Sequence, residues 1–302
     1  MGGVGVEDEF ACLRTGAGAV ELPRDFVRVS GPDAVSWLQG QLSQDVAALA
    51  VGAAAASLLL QPQGKVDAFV RVTRTAADEV VLDVDAGYGE AVIARLRRFK
   101  IRVKADVEPL AWRCLALRGP EVHAWAGDAS GGIAVDADWP GFPGVDVLGE
   151  APVPPPGVRP CGLAAWDRLR VAAGIPAMGS ELTERTIPAE AGIVGRAVSF
   201  TKGCYTGQEL VARIDSRGGH VPRHLRGVVV EAAGGAVPPP GASLVVDGKE
   251  VGALTSVAAG GDGAPALALA YVRREVTPPA DADLRWDGGA ARGQVRALPL
   301  DL

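Results

Sequence analysis

The chain is poor in the residues that build metal sites and disulfide frameworks: 302 residues include four cysteines and three histidines. Cys12, Cys114, Cys161 and Cys204 are far apart, with no Cys-x-x-Cys and no cysteine–histidine cluster at zinc spacing, so no bound metal is expected. By default each is a small buried hydrophobe. His220 and His224 have Pro222 between them, which argues against one helix presenting both to a metal. Long apolar runs are missing too. The apolar part of the longest uncharged stretch, 46–60, is rich in alanine and falls short of the roughly 20 apolar residues that cross a bilayer. The first ten residues hold three acids and no base, unlike a secretory leader. Nor is there an excess of positive charge: the net charge of −6 gives no general attraction for phosphates or anionic lipid. These absences predict a cytoplasmic protein with no direct nucleic-acid or membrane partner.

The hydrophobic fraction of 48% is ample for folding, and the length exceeds what one core usually serves, so two or three packed units are expected. Gly31-Pro32-Asp33 followed by Ala34, Val35, Trp37 and Leu38 reads as a helix start. Val66, Ala68, Val70 and Val72 alternate with Asp67, Phe69 and Arg71, the period of a strand, and 79–85 repeats it. Residues 90–100 switch to helical spacing, with Arg95, Arg97, Arg98 and Lys100 where cations complement the helix dipole; this basic run reads as a solvated face. Strands are expected at 101–107 and 112–117. The Pro/Gly-rich stretch 139–160 reads as a loop or linker, with a second break at 234–241. Between them 163–173 forms a helix closed by Gly174 and Pro176. Strands at 243–246, 250–256 and 266–272, with Asp247-Gly248 as a hairpin turn, predict a small β-barrel or sandwich. The fold class is therefore α+β, with an α+β region over 1–225, its internal linker near 139–160, and a β unit over 226–302.

The segment Lys202-Gly203-Cys204-Tyr205-Thr206-Gly207-Gln208-Glu209 draws attention as chemistry. A thiol reacts as its thiolate, which nearby cations and helix N-termini favour; Lys202 precedes Cys204 by two residues and a helix can begin at Gly207 or Gln208. Gln208 and Glu209 offer hydrogen bonds and Arg213 a planar fork for a carboxylate. Spacing alone equally accommodates an inert thiol, a turn made by the glycines and a Glu209–Arg213 helical ion pair.

That segment closely resembles the signature of the YgfZ family, a branch of the glycine-cleavage T-protein (aminomethyltransferase) superfamily. Gln39-Gly40-Gln41-Leu42 with Asp45-Val46, Gln63-Gly64-Lys65, Ala173-Gly174-Ile175-Pro176, Ile187-Pro188-Ala189-Glu190, Ser199-Phe200 and Val211-Ala212-Arg213 resemble further family blocks in the same order. They extend to about Arg226, with a weaker likeness at 252–256. The resemblance implies two α+β subdomains around a central channel and a C-terminal β-barrel. It implies tetrahydrofolate or a derivative as cofactor, and a role in assembly or maintenance of iron-sulfur proteins, with indirect effects on tRNA modification. The implied partners are folate and iron-sulfur proteins or their assembly machinery. Cys204 and Lys202 are the implied reactive groups. Trp166 resembles the tryptophan that stacks on the pterin, and Tyr205, Gln208, Glu209, Arg213 and Arg223 are the other implied folate contacts. Two departures stand out. Ala172 occupies the position of a pterin-binding glutamate, and Ala68 and Phe69 replace an acidic pair, leaving Asp67 as the nearest acid. The alternative reading, a folate-dependent one-carbon transferase acting on a small amine, needs such a carboxylate.

Overall fold

A computed structural model describes residues 5–231, 237–261 and 263–302. The expected break at 234–241 lies partly outside these. The chain folds as an α+β protein of two five-stranded sheets and a closed six-stranded barrel. Among the described residues no helix is long and apolar enough to cross a membrane.

One sheet joins, in spatial order, the strands Ala54–Leu60, Val66–Ala76, Glu79–Asp85, Arg24–Ser30 and Asp106–Leu110. Alternation decides its two faces. Val27, Val29, Ala68, Val70, Val72, Val80, Leu82 and Val84 go to a core shared with Ala34 and Leu38 of the helix Ala34–Gln41 and with Val92, Ile93 and Leu96 of the helix Gly89–Arg98. The opposite face carries Arg24, Phe26, Phe69, Arg71, Val81 and Asp83. It looks toward a second sheet, and Phe26 and Val81 pack with Cys114 and Leu148 of that sheet.

The second sheet has the order Arg159–Pro160, Gly18–Leu22, Arg113–Arg118, Gly144–Gly149, Ile133–Asp136. Here the sequence reading of 139–160 as a linker is corrected: Gly144–Gly149 is a buried strand paired on both sides, with Arg113–Arg118 and with Ile133–Asp136. Val145 and Val147 pack with Leu115, Leu117 and Val122 behind the sheet, so Asp146 projects toward the first sheet. The strand expected at 101–107 begins only at Asp106, after Arg102 adopts a positive φ of 56°.

The helix Leu163–Ala173 ends where expected, Gly174 taking φ 72° and donating its N–H back to Val171. A third core, in which Trp166, Leu169 and Ala172 meet Leu267, Leu269 and Tyr271, seats this helix on the barrel. The barrel closes in the order Arg223–Val230, Ala266–Arg273, Lys249–Ala258, Ser243–Val246, Ala280–Trp286, Gly289–Arg296. Closure leaves no unpaired sheet edge.

Candidate functional site

Between the two sheets and the helix Leu163–Ala173 lies a cavity of about 1080 Å³. The helix contributes Leu163, Trp166, Asp167 and Arg170, which share one face at spacings of three and four. Phe69 and Arg71 come from the first sheet, Arg118 and Asp146 from the second, Trp139 and Phe142 from the loop between the strands Ile133–Asp136 and Gly144–Gly149. Gln44 and Arg196 complete the wall nearest the signature segment.

A ladder of charges joins the sheets along the cavity floor. Arg24 bonds Asp83, and Arg71 bonds the same carboxylate at 2.8 and 3.1 Å. Arg71 also reaches Asp146, whose other oxygen takes Arg118 Nη1 at 2.8 Å. Burial alone would raise the Asp146 carboxyl, but Arg118 and Arg71 outweigh it and hold the group down at about 2. Cys114, 3.7 Å from Arg71, is pushed up to about 12 by burial and the nearby carboxylates, so it stays an inert thiol.

Above the ladder, the Arg118 guanidinium sits 4.6 Å from the ring centres of both Trp139 and Trp166, and the two indoles are 4.8 Å apart. Cation–π contact holds this buried cation in place. Among the described residues its Nε has no hydrogen-bond partner, and neither has Nε of Arg196, whose nearest acid, Asp138, is 4.0 Å away and exposed. Two buried N–H donors thus border the cavity with acceptors wanting.

The signature residues stand on the outer side of this wall. Lys202 Nζ donates to the carbonyls of Gln39, Leu42 and Gln44 at 2.5, 2.6 and 3.0 Å, capping the C-terminal end of the helix Ala34–Gln41. Burial draws its pKa down to about 8, against the pull of Asp45, so at neutral pH the ammonium is the species held. Thr206 N–H bonds Gly40 O, and Gly207, at φ 81°, packs on the turn at Gly64 so closely that a β-carbon on Gly207 would lie 2.4 Å from Gln61 O. Three of the blocks that carry the resemblance therefore meet in space. Cys204 is exposed on this loop.

Of the residues implied for the cofactor, Trp166 lines the cavity and the other five do not. Tyr205 is buried under the Lys202 ammonium, and its N–H bonds Gln208 Oε1 at 3.3 Å, so Gln208 closes the turn into the helix Gln208–Ser216. Glu209 and Arg213 are exposed on that helix, and no ion pair joins them among the described residues. Arg223 pairs with buried Glu190 at 3.0 Å and lies over Tyr271, at the barrel junction. Asp67 pairs with Arg95 at 3.0 Å, and Ala172 is fully buried in the core.

Sequence reasoning missed Arg71, Arg118, Asp138, Trp139, Asp146 and Arg196. Val145-Asp146-Val147 did carry a signal, a charge alternating with apolar residues, but it lay inside a stretch dominated by proline and glycine.

Comparison with known proteins places these features in context. Residues 4–143 match the model of the GCVT N-terminal domain. An aminomethyltransferase of Rubrobacter xylanophilus is 32% identical over 303 aligned positions, covering 90% of this chain and 80% of that protein. One of Streptomyces avermitilis is 28% identical, covering 97% and 88%. The crystal structure of the glycine cleavage system aminomethyltransferase T from Bartonella henselae shares the fold, with a TM-score of 0.79 over 98% of this chain and 89% of that one, at 24% identity.

Proposed function

Because the chain belongs to the folate-dependent aminomethyltransferase-like family, we propose that its cavity binds tetrahydrofolate or a derivative, and that the protein is a YgfZ-like accessory factor for iron-sulfur proteins. The observation that carries the folate part is the pairing of an aromatic wall, Trp139 and Trp166, with the unpartnered donors of Arg118 and Arg196 around one cavity. A flat heterocycle gains from stacking on the indoles, and its oxygen and nitrogen acceptors, or a carboxylate, would satisfy the buried guanidinium N–H groups. The volume suits a ligand of that size. When bound, the folate would supply a carrier for one-carbon units. The protein's own residues orient it: Arg118 is fixed by Asp146 and the two indoles, and Arg170 by Glu181 at 3.3 Å.

The accessory role is supported by the position of Cys204, exposed on a loop that Lys202 ties to the outer side of the cavity wall. There a partner protein can reach the thiol, as a redox-active group, a persulfide acceptor or a transient cluster ligand. Titration of tetrahydrofolate against intrinsic tryptophan fluorescence tests the first part. Saturable quenching is expected in the wild type and weaker binding in Trp166→Ala and Trp139→Ala; a wild type without response removes folate from the account. For the second part, Cys204→Ala is expected to leave iron-sulfur enzyme activity unrestored in a deletion strain.

A second reading, folate-dependent one-carbon transfer to or from a small amine, is favoured by one observation. Although positions 68 and 69 lack acids, Asp138 reaches the cavity from another element and is held only loosely, 4.0 Å from Arg196. It predicts turnover of methylamine-type substrates that Asp138→Asn abolishes.

A further inference from the structure

Two cysteines outside the signature segment meet where the N-terminal helix turns into the first strand. Cys12 lies in the last turn of the helix Val6–Thr15, its Sγ 3.5 Å from the carbonyl of Ala17. Cys161 lies between the strand Arg159–Pro160 and the helix Leu163–Ala173, its backbone N–H bonded to Ala19 O at 2.8 Å. Its Sγ is 3.8 Å from the carbonyl of Glu9, one turn before Cys12 on the same helix. A β-carbon added to Gly16 would sit 3.5 Å from the Cys12 sulfur, and one added to Gly18 would sit 3.2 Å from the Cys161 sulfur. Both thiols therefore crowd the step from Gly16 to Gly18. The backbone around them is well tied, since Glu9 also accepts the Gly162 N–H at 2.8 Å. Each is partly exposed, unlike Cys114, which is buried.

We propose that Cys12 and Cys161 close a reversible disulfide, with hydrogen peroxide as oxidant, that pins the cavity-lining helix to the N-terminal helix. Both thiols are partly exposed and either can open the sequence; the case with Cys12 first is representative. The Cys12 thiolate attacks one peroxide oxygen, the O–O bond breaks and the released hydroxide takes a proton to leave as water, giving a sulfenic acid. The Cys161 sulfur then attacks that sulfur; the S–O bond breaks, and the departing hydroxide leaves with the Cys161 proton as a second water. The thiols together lose two electrons and two protons, and the peroxide is reduced to two waters. A thiol reductant reverses the bond by exchange.

The link has a mechanical consequence. Gly162 and Leu163 follow Cys161 directly, and the helix they open carries Trp166 and Arg170 into the cavity. The bond closes a loop of roughly 150 residues, so it restricts the unfolded chain strongly, and both sulfurs already flank the same short turn at Gly16 to Gly18.

The test uses the full chain, reduced and then exposed to hydrogen peroxide. A non-reducing tryptic map is expected to show the peptide ending at Arg14 joined to the peptide ending at Arg168, less two hydrogens and restored by reductant. The oxidised protein is expected to melt several degrees above the reduced one. Cys12→Ser and Cys161→Ser should each lose both the link and the shift, whereas Cys114→Ser and Cys204→Ser keep them. Sulfinic acid at Cys12 with Cys161 still free, a link from either residue to Cys204, or a link without a thermal shift would overturn the proposal.

Discussion

Lys202 commits all three of its N–H donors to main-chain carbonyls, which makes it an anchor of the thiol loop before anything else. A cation two residues from a cysteine suggests thiolate activation when only spacing is known, and the geometry adds a competing demand on the same charge. Lys202→Met keeps the stem and removes the donors, leaving three carbonyls to find water. A loss of about 1–3 kcal/mol is expected in urea unfolding, together with faster modification of Cys204 by a thiol reagent as the loop loosens. Asp146 is the contrasting case. It was not legible as a functional residue because its role is set by partners 28 and 75 positions away in the chain, Arg118 and Arg71. Asp146→Ala would leave the Arg118 guanidinium buried without a carboxylate and Arg71 with Asp83 alone, at a cost of about 3–5 kcal/mol. Urea midpoints check the stability. A red-shifted fluorescence of Trp139 and Trp166 is the accompanying sign that the cavity floor has opened. Trp166, by contrast, was singled out by its place in a short motif before Gly174, and it lines the cavity.

At the scale of elements, periodicity read well wherever one face of an element is apolar. The strands Val66–Ala76 and Glu79–Asp85 and the helix Leu163–Ala173 lie close to their expected bounds. The strand Gly144–Gly149 escaped for a physical reason. Its glycines signal close approach: a β-carbon on Gly144 would lie 2.7 Å from the Arg118 guanidinium, and one on Gly149 would lie 2.2 Å from Gly131 O. In the sequence such glycines are indistinguishable from those of a loop. Gly174 shows both constraints at once. It caps the cavity helix at φ 72°, and a β-carbon there would stand 2.9 Å from Cβ of Leu298. Gly174→Ala is expected to cost about 1–3 kcal/mol, the left-handed strain adding to the clash. Thermal unfolding of the variant reads the cost directly, and a weakened fluorescence response to tetrahydrofolate would follow from a shifted Trp166.

For the molecule as a whole, the units are apolar within, and ionic links reinforce the apolar packing between them. The two sheets meet through Arg24, Asp83, Arg71, Asp146 and Arg118, and the cavity helix meets the barrel through Arg170, Glu181 and Ser256, with the Glu181–Ser256 bond at 2.6 Å. The layered architecture was legible because each unit has its own hydrophobic pattern. The junctions were not, since an ion pair between units leaves no period in either. This arrangement makes the molecule acid-sensitive at its sheet junction. The Asp146 carboxyl titrates at about 2 in the folded protein and near 3.8 in an unperturbed chain. A depressed folded value means the unfolded chain binds the proton first as pH falls. The stabilisation is therefore complete above about pH 5 and drains away between about pH 4 and pH 2. The shift corresponds to about 2 kcal/mol. Urea midpoints measured from pH 6 down to pH 2.5 should fall accordingly in the wild type. Asp146→Asn, which cannot titrate, should start from a lower stability and decline less over the same range. Equal slopes for the two proteins would mean that the acid sensitivity arises at other carboxylates than the one that joins the sheets.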